Sequence, residues 1–262
     1  MHTRRCFPSA IITLAMALGA SPHLVFGQNN QADWRRLLKA SQVEQTAWIN
    51  SHLRAGMPPS EAFGDLILNK SEVTLPLIEQ KIEEVLRSPS PGQSFNDKSI
   101  DPQDFVRRAT SAITEAGDTQ SLKEANKLIK IDEKQFGGMI GRILLQARSY
   151  RNPFIVAYRG FEIGDPAVDS RIVAWANVEL SDMRPALRDF GQRDPEPVPE
   201  FEIHKVRTWW AEAILEKYNG VPTPGQWAAD PLASRISPQV SGLVHDDVLR
   251  LAREKLEKRT GK

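Results

Sequence analysis

Apolar residues in this chain of 262 residues recur with the spacing of an α-helix over most of its length. The clearest stripes are Phe105, Ala109, Ala112, Ile113 and Ala116; Phe136, Met139, Ile140, Ile143, Leu144 and Ala147; Phe154, Ala157, Tyr158 and Phe161; and Val244, Val248, Leu251, Ala252 and Leu256. A helix places residues three and four positions apart on one face, whereas a strand needs an alternation of apolar and polar residues. No segment of strand length alternates cleanly, so the sequence predicts an all-α protein.

Helix boundaries are marked by residues that cap N-termini and by proline. Caps are predicted at Ser71, Asp101, Asp118, Asp165 and Ser241. Proline-rich stretches at 88–94, 194–199 and 221–225 interrupt the helical pattern, because continued helix is sterically disfavoured there. The other connections are short, which is typical of antiparallel neighbours.

The helical units recur at a nearly constant interval. Their predicted starts at Ser71, Asp101, Asp132, Asp165 and Val198 lie 30 to 33 residues apart. A constant interval of this size predicts a stacked array of helical hairpins.

A Gly-Asp turn joins the helices in two places, at Gly117-Asp118 and at Gly164-Asp165. Glycine suits the left-handed end of one helix, and aspartate caps the next. With the alanine-rich helix before the first turn and the leucine-spaced helix after it, residues 71–190 resemble the helix–turn–helix units of HEAT-type repeats. The resemblance implies stacked antiparallel helical hairpins, an α-solenoid. The two turns lie 47 residues apart, so the register of the repeats stays open.

The N-terminus has the layout of a secretory signal peptide. Arg4 and Arg5 precede a largely apolar region of ten residues at 11–20, and small Gly27 follows. Ten residues are too few to span a bilayer, which takes about twenty. We therefore expect cleavage after about residues 1–27, a periplasmic or secreted protein and no stable membrane insertion afterwards. Paired arginines also occur at the start of twin-arginine export signals. The Sec route is favoured, because the N-terminal region of a Sec signal needs little beyond its basic residues.

The mature chain, 28–262, is predicted to form a single α-helical repeat domain. It comprises N-terminal helices at 31–70, the repeat array at 71–190 and a C-terminal helical cap at 198–259. The whole chain has 34 basic and 33 acidic residues, and loss of Arg4 and Arg5 leaves 32 and 33. This balance argues against a nucleic-acid partner. Cys6 is the single cysteine, so the mature chain is expected to have no disulfide and no cysteine nucleophile.

No catalytic, cofactor-binding or metal-binding residues are predicted. His52, His204 and His245 follow the leader without a zinc-binding motif, and neither a Gly-x-Ser-x-Gly nor a phosphate-binding loop is present. A pair of acidic catalytic residues stays open, because sequence alone does not select two carboxylates. The clustered Gly137, Gly138 and Gly141 are interpreted as sites of close helix packing.

Trp209 and Trp227 are the predicted candidates for partner binding. Trp210 belongs to the apolar face of its helix, whereas Trp209 lies about 100° around the helix axis. Exposed tryptophans anchor protein or sugar ligands. The favoured alternative is that the proline-rich segment folds over Trp209 and that both tryptophans close the end of the array.

Together these features predict an exported helical-repeat scaffold or adaptor that binds a protein or peptide partner in the bacterial periplasm or cell envelope. The alternative is an envelope hydrolase or a carbohydrate-binding protein that uses exposed tryptophans and carboxylates.

Overall fold

The computed structural model describes residues 36–37, 39–54, 67–87, 101–181 and 200–261. Within these ranges the regular secondary structure consists of helices and includes no strand, which confirms the all-α prediction. The helices are α1 (Gln42–Arg54), α2 (Ser71–Arg87), α3 (Pro102–Ala116), α4 (Thr119–Ile131), α5 (Glu133–Phe136), α6 (Met139–Ala147), α7 (Pro153–Phe161), α8 (Pro166–Leu180), α9 (Glu200–Tyr218), α10 (Pro224–Ala228) and α11 (Pro238–Thr260).

Several predicted features lie outside the described residues. They are the signal peptide at 1–27 and the proline-rich stretches at 88–94 and 194–199. Within the described ranges, none of the helices is long and apolar enough to cross a membrane.

The predicted apolar stripes form the core. The stripes of α3 and α6 are fully buried, and in the stripes of α7 and α11 the last residues, Phe161 and Leu256, are half-buried. The stripe from Phe136 to Ala147 is divided between two helices rather than continuous, because Gly137 and Gly138 separate α5 from α6.

The first Gly-Asp turn has the predicted geometry, and the second has it in part. Gly117 ends α3 in the left-handed conformation with a φ of 57°, and Asp118 caps α4 by accepting the Ser121 backbone N–H. Asp165 caps α8 as predicted, by accepting the Ala167 backbone N–H, but Gly164, with a φ of 72°, does not cap α7, whose C-cap is Glu162. The first turn also lies close to α6, because a Cβ atom at Gly117 would be 2.9 Å from the Ala147 nitrogen. Glycine is therefore required there for backbone conformation and for packing.

Two predicted caps are wrong. Ser71 is the first residue of α2 and not the residue before it, and its hydroxyl donates to the Asp118 carboxylate. Ser241 lies inside α11, which begins at Pro238 with Ser237 before it. Proline needs no hydrogen-bond partner for its nitrogen, so the first turn begins there rather than at the later serine.

The C-terminal helices pack around an aromatic cluster that consists of Phe154, Trp175, Trp210, Trp227 and His245. α9 packs on α7, α8 and α11, and the ring of Trp210 is fully buried between them. This cluster positions the surface described next.

Candidate functional site

The two tryptophans singled out by the sequence lie in different environments. Trp227, on α10, is half-buried, and its ring lies 5.4 Å from Trp210 and 5.1 Å from His245, measured between ring centroids. It is thus part of the aromatic cluster. Burial lowers the pKa of His245, because the cluster disfavours the charged imidazolium.

Trp209 is half-buried and contacts cations instead of aromatic rings. The Arg148 guanidinium lies 5.7 Å from its ring centroid, and the Lys205 ammonium lies 4.8 Å from it. Its carbonyl accepts a hydrogen bond of 2.7 Å from the Asn152 amide. The described part of the chain shows no ring contact between Trp209 and Trp227, so the structure does not bring the two together.

An apolar groove of about 340 Å³ lies beside Arg148, between α6 and α8. We call it the glycine groove. Its lining residues are Gly137, Gly138, Gly141, Leu145, Arg148, Arg171, Ala174, Trp175, Val178 and Glu179. They form one face of α6 and one face of α8, since each set follows a spacing of three and four residues.

The glycines of the groove are not sites of close helix packing, contrary to the prediction for Gly138 and Gly141. A Cβ atom built at either position would meet no heavy atom within 4 Å. Gly137 differs, because a Cβ atom there would lie 2.6 Å from the Glu133 carbonyl oxygen. The sequence showed that small residues cluster, but it could not show that they face an open space.

The far wall of the groove is formed by α8. Trp175 is 6% exposed and packs on Phe154, with the ring centroids 5.0 Å apart. Its indole N–H is buried and has no hydrogen-bond acceptor among the residues that the structure describes. Val178, one turn later, is 38% exposed. The wall is therefore apolar and partly uncovered.

Arginines lie at both ends of the groove, and each is already paired. Arg148 forms ion pairs with Glu179 at 3.1 Å and with Glu202 at 3.3 Å. Arg171 donates to the Gly137 and Ala167 carbonyls at 3.1 and 2.8 Å and also pairs with Glu133. Because these guanidiniums are engaged, the groove has no uncompensated charge to attract an ion.

Comparisons with known proteins give no family for this chain. No protein-family model, curated protein or solved structure matches it. Its function must therefore be argued from its own side chains.

Metal chemistry has no support in the described ranges, which contain no group of three or more His, Cys, Asp or Glu side chains placed to share an ion. His204 is exposed on α9, whereas His245 belongs to the aromatic cluster. These two histidines are thus not brought together. The side chain of His52 lies outside the described part.

Proposed function

We propose that this chain is an exported helical scaffold that binds a protein or peptide partner in the bacterial periplasm or cell envelope. On this proposal the partner inserts a large apolar side chain into the glycine groove. The leader at residues 1–27 supports export.

A stacked, HEAT-like arrangement of antiparallel hairpins is part of the proposal. Among the described helices, the pairs with substantial contact are no more than three places apart in chain order. Contacts restricted to near neighbours are typical of solenoids, which present extended binding surfaces. The Gly-Asp turns at Gly117 and Gly164 support the same reading.

The observation that carries the proposal is the open space above Gly138 and Gly141. Glycine inside a helix is destabilising by roughly 0.5–1 kcal/mol relative to alanine. Gly141 lies within α6, where no neighbouring atom requires the absence of a side chain. A protein with a larger residue at this position would fold equally well, but the added side chain would fill the groove.

The chemistry of the groove favours an apolar occupant. Leu145, Trp175 and Val178 offer apolar contact, and both arginines at the ends are engaged in ion pairs. A charged group entering the groove would lose its hydration without gaining a partner. A leucine, methionine or aromatic side chain would instead bury area, worth about 25 cal/mol for each Å².

The carbohydrate-binding alternative has weaker support. Sugar recognition by Trp209 and Trp227 needs free ring faces. The Trp227 ring packs on Trp210 and His245, and two cations lie over the Trp209 ring.

The substitution Gly141→Leu tests the proposal. Peptides selected from a random display library against the purified protein would be labelled and measured by fluorescence anisotropy. We expect selected peptides to contain a large apolar residue and to bind the variant at least about tenfold more weakly, since a filled pocket removes a hot-spot contact.

The matched control is Gly242→Leu. Gly242 lies in α11, and a Cβ atom there also meets nothing within 4 Å. Both variants should fold with unchanged or greater stability, because leucine favours helix over glycine by up to about 1 kcal/mol. Equal peptide affinity of the two variants would refute a role for the groove.

A further inference from the structure

A second cavity of about 540 Å³ lies where the starts of α2, α4 and α7 meet. We call it the polar cavity. It is separate from the glycine groove, with which it shares no lining residue. Its charged and aromatic lining consists of Asp118, Tyr150, Arg151, Arg159 and Glu216.

Two of the helices at this cavity are capped by side chains of the residues before them. Asp118 accepts from the Ser121 backbone and hydroxyl at 2.9 and 3.0 Å through one oxygen and from the Ser71 hydroxyl through the other. Asn152 accepts from the Phe154 N–H at 3.0 Å. The side chains of Asp118 and Asn152 are therefore already engaged.

Arg151 is only loosely paired with the other groups of the cavity. Its closest carboxylate is Asp118, 4.0 Å away, and its side chain is 38% exposed. Within the described part of the chain its guanidinium makes no hydrogen bond, and only its backbone N–H donates, to the Ala147 carbonyl. A guanidinium presents five donors in a planar fork that matches a carboxylate or a phosphate.

The neighbours of Arg151 can adapt to a ligand. Tyr150 is 59% exposed beside it. Arg159 pairs with Glu216 at 3.1 Å, with both side chains more than half exposed. Surface ion pairs of this kind contribute at most about 1 kcal/mol, so Arg159 can exchange its partner for a ligand oxygen.

We propose that the polar cavity binds a small molecule that carries an oxyanion, either a carboxylate or a phosphate, held bidentately by Arg151. Arg159 provides the second positive charge, and Tyr150 covers the organic part of the ligand at the rim. The cavity volume lies within the range of about 300–1,000 Å³ that is usual for small-molecule sites. This inference does not depend on the role of the glycine groove.

The test follows arginine side-chain resonances by NMR while sodium phosphate or sodium acetate is added, with chloride exchanged to keep ionic strength constant. We expect the Nε–Hε resonances of Arg151 and Arg159 to shift saturably, and the one that is absent in Arg151→Gln is that of Arg151. Arg151→Lys keeps the charge but loses the fork, so the Arg159 resonance of this variant should report at least about tenfold weaker binding. Arg142→Gln, an exposed site on α6 outside the cavity, should bind as the wild type does.

Saturation by phosphate alone or by acetate alone would support the proposal and identify the ligand class, and saturation by both would indicate a general oxyanion site. The proposal is overturned if neither anion gives a saturable shift, or if Arg151→Lys binds as tightly as the wild type. Arg151→Lys retains the charge and length of the side chain, so it keeps the test valid if Arg151→Gln folds poorly.

Discussion

The hydroxyl of Tyr158 donates to Asp230 at 3.0 Å, although 72 residues separate the two in the chain. Asp230 is fully buried and also accepts from the Tyr218 hydroxyl at 2.8 Å and from the Lys217 ammonium at 3.3 Å. The Tyr158 hydroxyl in turn accepts the indole N–H of Trp210 at 2.8 Å. One carboxylate thus joins α7, α9 and the segment after α10, and burial raises the pKa of Tyr158 well above its usual value.

Asp230→Ala should lower the free energy of unfolding by about 3–5 kcal/mol, because removal of one partner leaves Lys217 and the two tyrosine hydroxyls without their acceptor. Urea denaturation measures the loss. Asp246→Ala, at an exposed position on α11, should stay within about 0.5 kcal/mol of the wild type. Equal midpoints of urea denaturation for the two variants would show that the hydrogen bonds of Asp230 contribute little to stability.

Glu79→Gln should stabilise the protein at about pH 7. Burial raises the pKa of Glu79 above its ordinary value of 4.5, with partial compensation from Lys127. A raised folded-state pKa means that ionisation of Glu79 costs the folded state more free energy than the unfolded chain. The contribution of Glu79 to stability is therefore fully present below pH 4.5 and is lost as the pH rises through the folded-state pKa.

Glutamine does not ionise, so the gain of Glu79→Gln should disappear below the unfolded pKa of about 4.5. The midpoints of urea denaturation of the wild type and the variant, compared between acid and neutral pH, measure this gain in stability. Glu84→Gln, at an exposed position on α2, is the control and should show little difference at any pH. A gain for Glu79→Gln that persists unchanged into acid would mean that ionisation is not its cause.

Trp209→Ala and Trp210→Ala should differ in stability although the residues are adjacent. Trp210 is fully buried, so its truncation should cost about 3–5 kcal/mol. Trp209 is half-buried with two cation–π contacts, each worth roughly 0.5–1 kcal/mol, so about 1–2 kcal/mol is expected. Thermal and urea melts of both variants test this. A loss at Trp209 as large as that at Trp210 would favour its role as a structural cap.

Gly160→Ala should destabilise the contact of α7 with its neighbours. A Cβ atom at Gly160 would lie 2.6 Å from Ile172 Cδ1 and 2.8 Å from Leu122 Cδ1, both in the core. Overpacking of this kind costs about 1–3 kcal/mol. Ile172→Val removes one of the clashing methyl groups, so the double variant should lose less than the sum of the two single variants. Strict additivity in urea melts would contradict the steric explanation.

Local patterns predicted the helices and several of their ends. The stripes of α3, α6, α7 and α11 are buried largely as expected, Gly117 ends α3, and Asp118 and Asp165 cap α4 and α8 as predicted. These features depend on residues within one or two helical turns of each other, which the sequence places directly. Ser241 was assigned wrongly because Pro238, three residues earlier, begins the same helix.

The candidate site was predictable only in part. The helical spacing places Trp210 on the apolar face, where it is fully buried, and Trp209 about 100° around the helix, where it is half-buried and packs against the edge of the core. It did not indicate that Trp227 would pack on Trp210 or that Arg148 and Lys205 would lie over Trp209. Trp227 and Arg148 come from other segments of the chain, and Lys205 comes from the preceding turn of the same helix, so helical spacing alone does not indicate which of them contacts which tryptophan.

The sequence by itself determined that this protein is helical and which face of most helices is apolar, because both follow from spacing along one chain segment. Only the tertiary structure decided what lies opposite each face. Gly160 and Gly141 are both helical glycines, yet the first is covered by Ile172 and Leu122 and the second faces an open groove. The difference arises from the packing of helices that are distant in sequence, and it separates a glycine needed for packing from one that leaves room for a ligand.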